Sequence, residues 1–372
     1  MSYNPVQTRT WNRSTPNDGL LFEAEYNRVY ANTAALYQVS NKQWQTGYTY
    51  SHYDTVVKDE TLYMCTSTGD AHVSGTFLTD YDSGYWVPIS HGTIDSDVTI
   101  TIGSGGDYDN FVDCWKFLKD KRIPDDVSVT LSLSGNLTLN TSAAYTWPDG
   151  TLAAWAGRHP DGRNITIQLN GHEITVGDGS DTVHGIYANN CTININANIA
   201  TSFIRAQNDG TGFGVYATTN GFINIENGSN LTIGASGLGF NYGLYARANG
   251  YIFADDVQVN YNGSHGIFSF GAGLVACSGC SSSYNGGSGA KIQDGSYLYS
   301  INSTFGNNSA YGIEALFLSG VRASSCTVSG NSSGAFYASD GSHIDRTGAS
   351  GAQATSSSPT VDTVGNANSY VN

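Results

Sequence analysis

The chain has 372 residues, with 45 Gly, 24 Tyr and only 16 Lys plus Arg, a composition that belongs to a turn-rich, repetitive all-β protein rather than to an ordinary α/β enzyme. A formal net charge of −15 argues against a nucleic-acid partner, which would need clustered cations to displace counterions. No apolar run approaches the roughly 20 residues of a membrane helix. The opening MSYNPVQTRTW lacks the basic and apolar regions of a secretion signal, so no membrane partner is expected and assembly in a cytoplasm is.

Residues 1–40 are expected to form a helical attachment or trimerisation segment. Phe22, Tyr26, Val29, Thr33 and Leu36 stand at alternating steps of four and three behind a cap at Asp18. Such a short seam can register parallel subunits or pack on its own domain. Residues 41–95 form a small aromatic-rich β module with Trp44, Tyr48, Tyr50, Tyr53, Tyr63, Phe77, Tyr81, Tyr85 and Trp86. It resembles the three-stranded chitin-binding type of module found in phage tail proteins and glycosidases. Trp44, Tyr63 and Trp86 are its candidate glycan contacts, although the same rings can equally be the core of so small a unit.

From residue 96 the pattern becomes strand (DVTITI), Gly-rich turn, helix, strand (VSVTLSL). The helix is expected to be capped near Asp107 and to bury Phe111, Cys114, Trp115 and Leu118, plugging the open end of a stack of strands. The GSGG turn at Gly103 lacks the Gly-Lys-Ser/Thr ending of a phosphate loop.

From Gly185 onward the chain repeats itself. GIYA, GVYA, GLYA, GIFS, GAKI, GIEA and GAFY begin at Gly185, Gly214, Gly243, Gly266, Gly289, Gly312 and Gly334, at spacings of 29, 29, 23, 23, 23 and 22. A fixed period in this range implies a stacked architecture. Aligning the copies on their glycines gives an inward column one residue later, Ile186, Val215, Leu244, Ile267, Ala290, Ile313 and Ala335. Further inward columns are Ile252, Val275, Leu298 and Val321, and Val257, Cys280, Ser303 and Cys326. Short strands with alternating faces, joined at corners such as SYNGGSG and SGNSSG, make a parallel β-helix rising about 4.8 Å per coil. The Asn-X-Ser/Thr triplets at Asn227, Asn262 and Asn302 read as corner chemistry rather than as glycosylation sites.

The run GSGGDYDNFVDCWKFLKDKRIPDDVSVTLSL, the later HPDGRNITI and GHEITV, and the closing SSPTVDTVGNANSYVN resemble phage tail-fibre and tailspike proteins with a pectate-lyase-like, right-handed β-helix. The resemblance implies a β-helix over residues 96–348, a cap or tail over 349–372, and a homotrimer joined through its N-terminal region to other tail or baseplate proteins of the virion. It also implies recognition of host-surface polysaccharide, with or without cleavage, and identifies no catalytic residue.

Two outward columns carry the candidate chemistry. Tyr187, Tyr216, Tyr245, Phe268, Lys291, Glu314 and Phe336 stand two residues after the glycines; His184, Phe213, Tyr242, His265, Ser288, Tyr311 and Ser333 stand one before. This aromatic stripe is either the subunit interface or a saccharide groove. Lys291 and Glu314 should pair across neighbouring coils. Glu226 and Asp255 each lie twelve residues after their glycine, with Asp256 beside them, and are the best pair of carboxylates for hydrolysis; an acidic corner is the alternative. Glu173, Asp178, Asp294 and Asp340 are weaker candidates. The repeats hold too few cations for a convincing lyase site. No metal or cofactor is expected, since Cys277 and Cys280 have no second ligand pair. The sequence therefore favours glycan binding, with a depolymerase or a purely structural baseplate or collar component as alternatives.

Overall fold

The computed structural model of the chain describes residues 92–350, apart from 149, 158, 178–181, 198–200, 208–211 and 227–229, together with short stretches between 46 and 90 and the strands Thr363–Val364 and Tyr370–Val371. The expected helical seam over residues 21–37, Trp44 and most of the tail after 348 lie outside the described residues. The chain divides into two compact units, Met1–Gly92 and Thr93–Asn372.

In the first unit Thr55–Lys58, Thr61–Cys65 and Trp86–Ser90 form a three-stranded antiparallel sheet. Its core is Tyr50, Val56, Tyr63, Cys65 and Trp86, with Tyr50 and Trp86 edge to face at 4.9 Å.

The second unit is a coil of three parallel sheets with eleven, eight and nine strands. A representative turn runs through Tyr251–Asp255 in the first sheet, Gln258–Val259 in the second and His265–Phe270 in the third. The inward columns are as the repeat predicts: Ile186, Val215, Leu244, Ile267, Ala290 and Ile313 are fully buried, and so are Ile252, Val275, Leu298 and Val321 to within 2 %. The 29-residue coils carry their extra residues at the corners. Five residues separate Thr192–Asn196 from Ser202–Ala206, whereas only two separate Tyr251–Asp255 from Gln258–Val259.

One register assignment is corrected. Tyr311 pairs with Gly334, Ile313 with Phe336 and Glu314 with Tyr337, so Ala335, not Gly334, occupies the repeat-glycine position in the last copy. Phe336 is consequently inward and buried, and Tyr337 takes the outward place. The final spacing of 22 was the sign of this offset.

The repeat glycine is there for space. A Cβ on Gly266 would stand 2.0 Å from the Ser282 hydroxyl and 2.6 Å from the Asn285 amide. That amide belongs to a buried ladder in which Asn262, Asn285 and Asn308 each donate to the Oδ1 of the next asparagine, ending at Asn331, at 3.0, 3.0 and 2.9 Å. Each rung satisfies a corner that would otherwise bury unpaired backbone groups. Asn262 is therefore an interior residue, unavailable for glycosylation.

The corners bend through left-handed backbone in columns. Between the first and second sheets these are Asp256, Gly279, Asn302, Ser325 and Gly348; between the second and third, Tyr261, Tyr284, Asn307 and Gly330. Their N–H groups donate to carbonyls of the next coil, as Asp256 does to Ser278 at 2.7 Å and Tyr284 to Gly306 at 3.2 Å. Asn, Asp and Gly suit such positions because the left-handed region is accessible to them.

The N-terminal end of the coil is closed by the helix Phe111–Leu118, which buries Phe111, Val112, Cys114 and Leu118. Its cap is Asn110, whose side chain accepts the Asp113 N–H at 2.9 Å; the expected cap, Asp107, is held by Thr101 instead. Trp115, half-buried, packs with Trp147 and Trp155 at 5.5 and 6.1 Å. The HPDGRN motif clasps this plug. Buried His159 places Nε2 3.1 and 2.9 Å from the carbonyls of Leu118 and Lys121, and Asp161 accepts the Ile123 N–H. Among the described residues no helix is long and apolar enough to cross a membrane.

Candidate functional site

The two outward columns of the third sheet come together as one ladder. His184, Phe213, Tyr242 and His265 stack with centroids 4.8, 5.3 and 5.7 Å apart; Tyr216, Tyr245 and Phe268 stack at 4.8 and 5.2 Å, and Tyr187 meets Tyr216 at 5.1 Å with its ring tilted by 45°. The columns also touch edge to face, as Phe213 does with Tyr245 at 4.7 Å. With a ring on every rung, the rings bury one another. Tyr245 and Phe268 are only 6 % and 9 % exposed within a single chain. Burial lowers His184 to about 4 and, with help from the nearby Lys291 ammonium, does the same to His265; it raises Tyr245 to about 12. Nδ1 of each histidine already accepts a backbone N–H from the next coil, Phe213 and Ser288 respectively.

Above Phe268 the ladder changes character. Lys291 and Glu314 pair at 3.3 Å, as the shared column predicts, and the Ser288 hydroxyl donates to the other Glu314 oxygen at 2.7 Å. Rings resume with Tyr311 stacked on Tyr337 at 4.8 Å. The ion pair is largely covered, its side chains 22 % and 12 % exposed, rather than an open surface pair.

The open aromatic surface is on the first sheet, and the glycine alignment did not single it out. Its outward positions run Phe222 and Asn224, Tyr251 and Phe253, Leu274 and Ala276, Tyr297 and Tyr299, Gly320 and Arg322, His343 and Asp345 on successive strands. Phe222 and Tyr251 stack at 5.2 Å, but the Tyr297 and Tyr299 rung lies between Leu274 and Ala276 on one side and Gly320 and Arg322 on the other, with no aromatic ring above or below. Tyr297 is 54 % and Tyr299 41 % exposed. Over this face lies a groove of about 360 Å³, lined by Leu274, Tyr297, Tyr299, Gly320, Arg322, His343 and Asp345 among others. Gly320 leaves the floor open, since a Cβ there would meet the Tyr297 ring at 2.8 Å and His343 at 3.1 Å. Arg322 stacks its guanidinium 5.1 Å over Tyr299, bonds Ser324 through Nε and makes no ion pair among the described residues. Asp345 is held below the usual carboxylate range, chiefly by the Thr347 hydroxyl and N–H, with Arg322 and His343 contributing less. The corner leading into Gly320 carries Phe317 and Leu318, both left-handed and exposed. The groove thus offers two exposed tyrosine rings, a cation stacked on one of them and an ionised carboxylate, an arrangement able to hold a polyhydroxylated ring by stacking and by directed hydrogen bonds.

The carboxylate candidates separate. Glu226 and Asp255 end strands that pair in register, Ile225 opposite Ala254, and so occupy successive rungs of the first sheet. Glu226 is exposed and accepts the Asn224 amide at 2.9 Å. The Asp255 carboxyl is raised, by partial burial first and by the Asp256 charge second. Asp256 is explained by its corner, where it adopts φ of 59°. Asp294 and Asp340 are likewise left-handed turn residues, and Glu173 is bound to Arg205, whose Nε lies 2.6 Å away. Asp178 and Asn227 lie outside the described residues.

Tyr63 and Trp86 are core residues of the N-terminal sheet, 7 % and 1 % exposed, and their faces pack on protein. This corrects their candidacy as glycan platforms: with Tyr50 they fill the core of the small three-stranded unit. Cys277, Cys280 and Cys326 are buried ladder members. Cys280 donates to the Ala254 carbonyl at 3.2 Å, and no cluster of three or more metal-ligating side chains occurs among the described residues.

Residues 223–367 match a family described as right handed beta helix region. The second unit is a right-handed β-helix. No curated protein and no solved structure matches the chain. A β-helix of this kind is compatible with polysaccharide-binding and polysaccharide-cleaving proteins alike.

Proposed function

We propose that the protein is a glycan-binding subunit of a phage tail fibre or tailspike, which adsorbs to host-cell polysaccharide through the first-sheet groove. The observation that carries the binding is the exposed pair Tyr297 and Tyr299 beside Arg322, His343 and Asp345, on a floor opened by Gly320. Rings left largely in water on a rigid sheet contribute little to the core, and they fit the apolar faces of sugars. The virion setting rests on the resemblance of the capping segment and tail to tail-fibre and tailspike proteins, and with it come a homotrimer and attachment through residues 1–95. The third-sheet ladder is the face this reading assigns to neighbouring subunits.

The test is retention of purified protein on immobilised bacterial capsular polysaccharides and lipopolysaccharides, alongside sedimentation to measure the assembly. Retention that is lost in Tyr297→Ala/Tyr299→Ala, from a species of three chain masses, supports the reading; a monomer, or retention indifferent to both tyrosines, overturns it.

One observation favours a depolymerase as second reading: Glu226 and Asp255, whose carboxyl is raised, end strands on neighbouring rungs with backbones about 4.8 Å apart, a placement that lets two carboxylates face one sugar. New reducing ends that vanish in Glu226→Gln or Asp255→Asn would establish it.

A further inference from the structure

A second aromatic surface lies away from the first-sheet groove, at the corner between the second and third sheets. The left-handed column there holds Tyr261, Tyr284, Asn307 and Gly330, at φ of 59°, 59°, 57° and 69°. Asn and Gly are the residues this backbone prefers; a bulky aromatic is an outlier in it. The two tyrosines stack, with centroids 5.1 Å apart and planes within 8°, yet remain 40 % and 52 % exposed. Neither ring belongs to the core. The fold therefore accepts an unfavourable backbone at two consecutive rungs in order to place two rings in water, where the next rungs show that Asn or Gly closes the same corner.

Beside the pair is a recess of about 520 Å³, lined by Ser236, Gly237, Asn241, Tyr261, Asn262, Gly263 and Tyr284. Nothing charged lines it. Asn262 is committed to the buried ladder, but the Asn241 side-chain amide and the Ser236 hydroxyl engage no other group among the described residues, and neither do the two tyrosine hydroxyls. Free uncharged donors and acceptors around exposed rings, in a recess within the size range of small-ligand sites, match the chemistry of a neutral sugar better than that of an anion or an apolar peptide.

We propose that the Tyr261–Tyr284 corner is a saccharide subsite for uncharged pyranose units, separate from the first-sheet groove, with the tyrosine rings as the stacking platform and Asn241 and Ser236 as the hydrogen-bonding groups. The site is independent of whether the groove binds, and the two have different chemistry, since the groove presents Arg322 and Asp345.

Substituting the residue found one rung further along makes the test selective. Tyr261→Asn/Tyr284→Asn relieves the backbone and should leave the thermal midpoint unchanged or raised. Wild type, this variant and Tyr297→Ala/Tyr299→Ala are compared on an array of neutral and uronate-containing oligosaccharides. The expected result is at least about tenfold weaker retention of a neutral glycan in the corner variant, with that retention kept in the groove variant and a midpoint that does not fall. Failure of wild type to retain any neutral glycan overturns the proposal. So does retention insensitive to the corner variant, or a midpoint that falls, which would make the tyrosines structural. Loss of retention in the groove variant alone would overturn the corner site while supporting the groove.

Discussion

The third-sheet ladder and the first-sheet face are built from the same residue types on the same scaffold, yet they do opposite things with them. On the third sheet a ring stands on every rung from His184 to Phe268, rungs are about one strand spacing apart, and that is the stacking distance of aromatic rings, so each ring takes its neighbours out of water. On the first sheet Leu274, Ala276 and Gly320 interrupt the series, and Tyr297 and Tyr299 keep faces open. On these two sheet faces, the vertical spacing of the aromatics, rather than their number, separates rings that are buried from rings that stay open to solvent.

The comparison can be broken hardest at Tyr245. It is buried between Tyr216 and Phe268, so Tyr245→Ala should cost about 4 kcal/mol in equilibrium or kinetic unfolding while leaving glycan retention intact. A small stability loss, or lost retention, would dissolve the distinction between the faces.

Acid probes the same ladder. His184 falls from 6.5 in the unfolded chain to about 4 when folded, so between those values the unfolded state binds more protons and stability falls as pH is lowered. The effect is complete near pH 4 and absent above about pH 7, on the order of 3 kcal/mol for this residue. His265, also near 4, adds a second contribution of the same sign. His184→Phe, which keeps the stack, should flatten that part of the pH profile of the thermal midpoint.

On the open face the signs reverse. Tyr297→Ala or Tyr299→Ala should weaken glycan retention by about 1–2 kcal/mol, a factor of roughly five to thirty, with stability changed by less than about 0.5 kcal/mol. The smallest effect is expected from Gly320→Ala. Its new methyl meets the movable end of the Tyr297 side chain, so the fold should tolerate it and affinity should drop about twofold to threefold as the ring is pushed from the groove floor. A Gly320→Ala variant that fails to fold would show that Tyr297 is held more firmly than its exposure implies.

Much of this was legible in the chain because a stacked coil repeats its own contacts. A 23-residue period puts Ile267, Ala290 and Ile313 in line without knowledge of any distant contact, and alternation then assigns inward and outward faces. The same arithmetic paired Lys291 with Glu314 and aligned Glu226 with Asp255. It failed where a copy slips by one residue, at Gly334, because a pattern anchored on glycine cannot distinguish a glycine from an alanine holding the same place. What the period could not reveal was exposure. Whether a ring is covered depends on the size of the side chains one rung above and below it and on the corner beside it, as at Tyr297 over Gly320 or Tyr284 next to Asn307. Nor could it show that Asp256 and the tyrosines at 261 and 284 share a left-handed backbone. The sequence by itself determined the coil, its core and the columns its side chains occupy, since these arise from a local period; only the tertiary structure decided which columns meet solvent, since exposure is a property of neighbours that the chain brings together 23 or more residues apart.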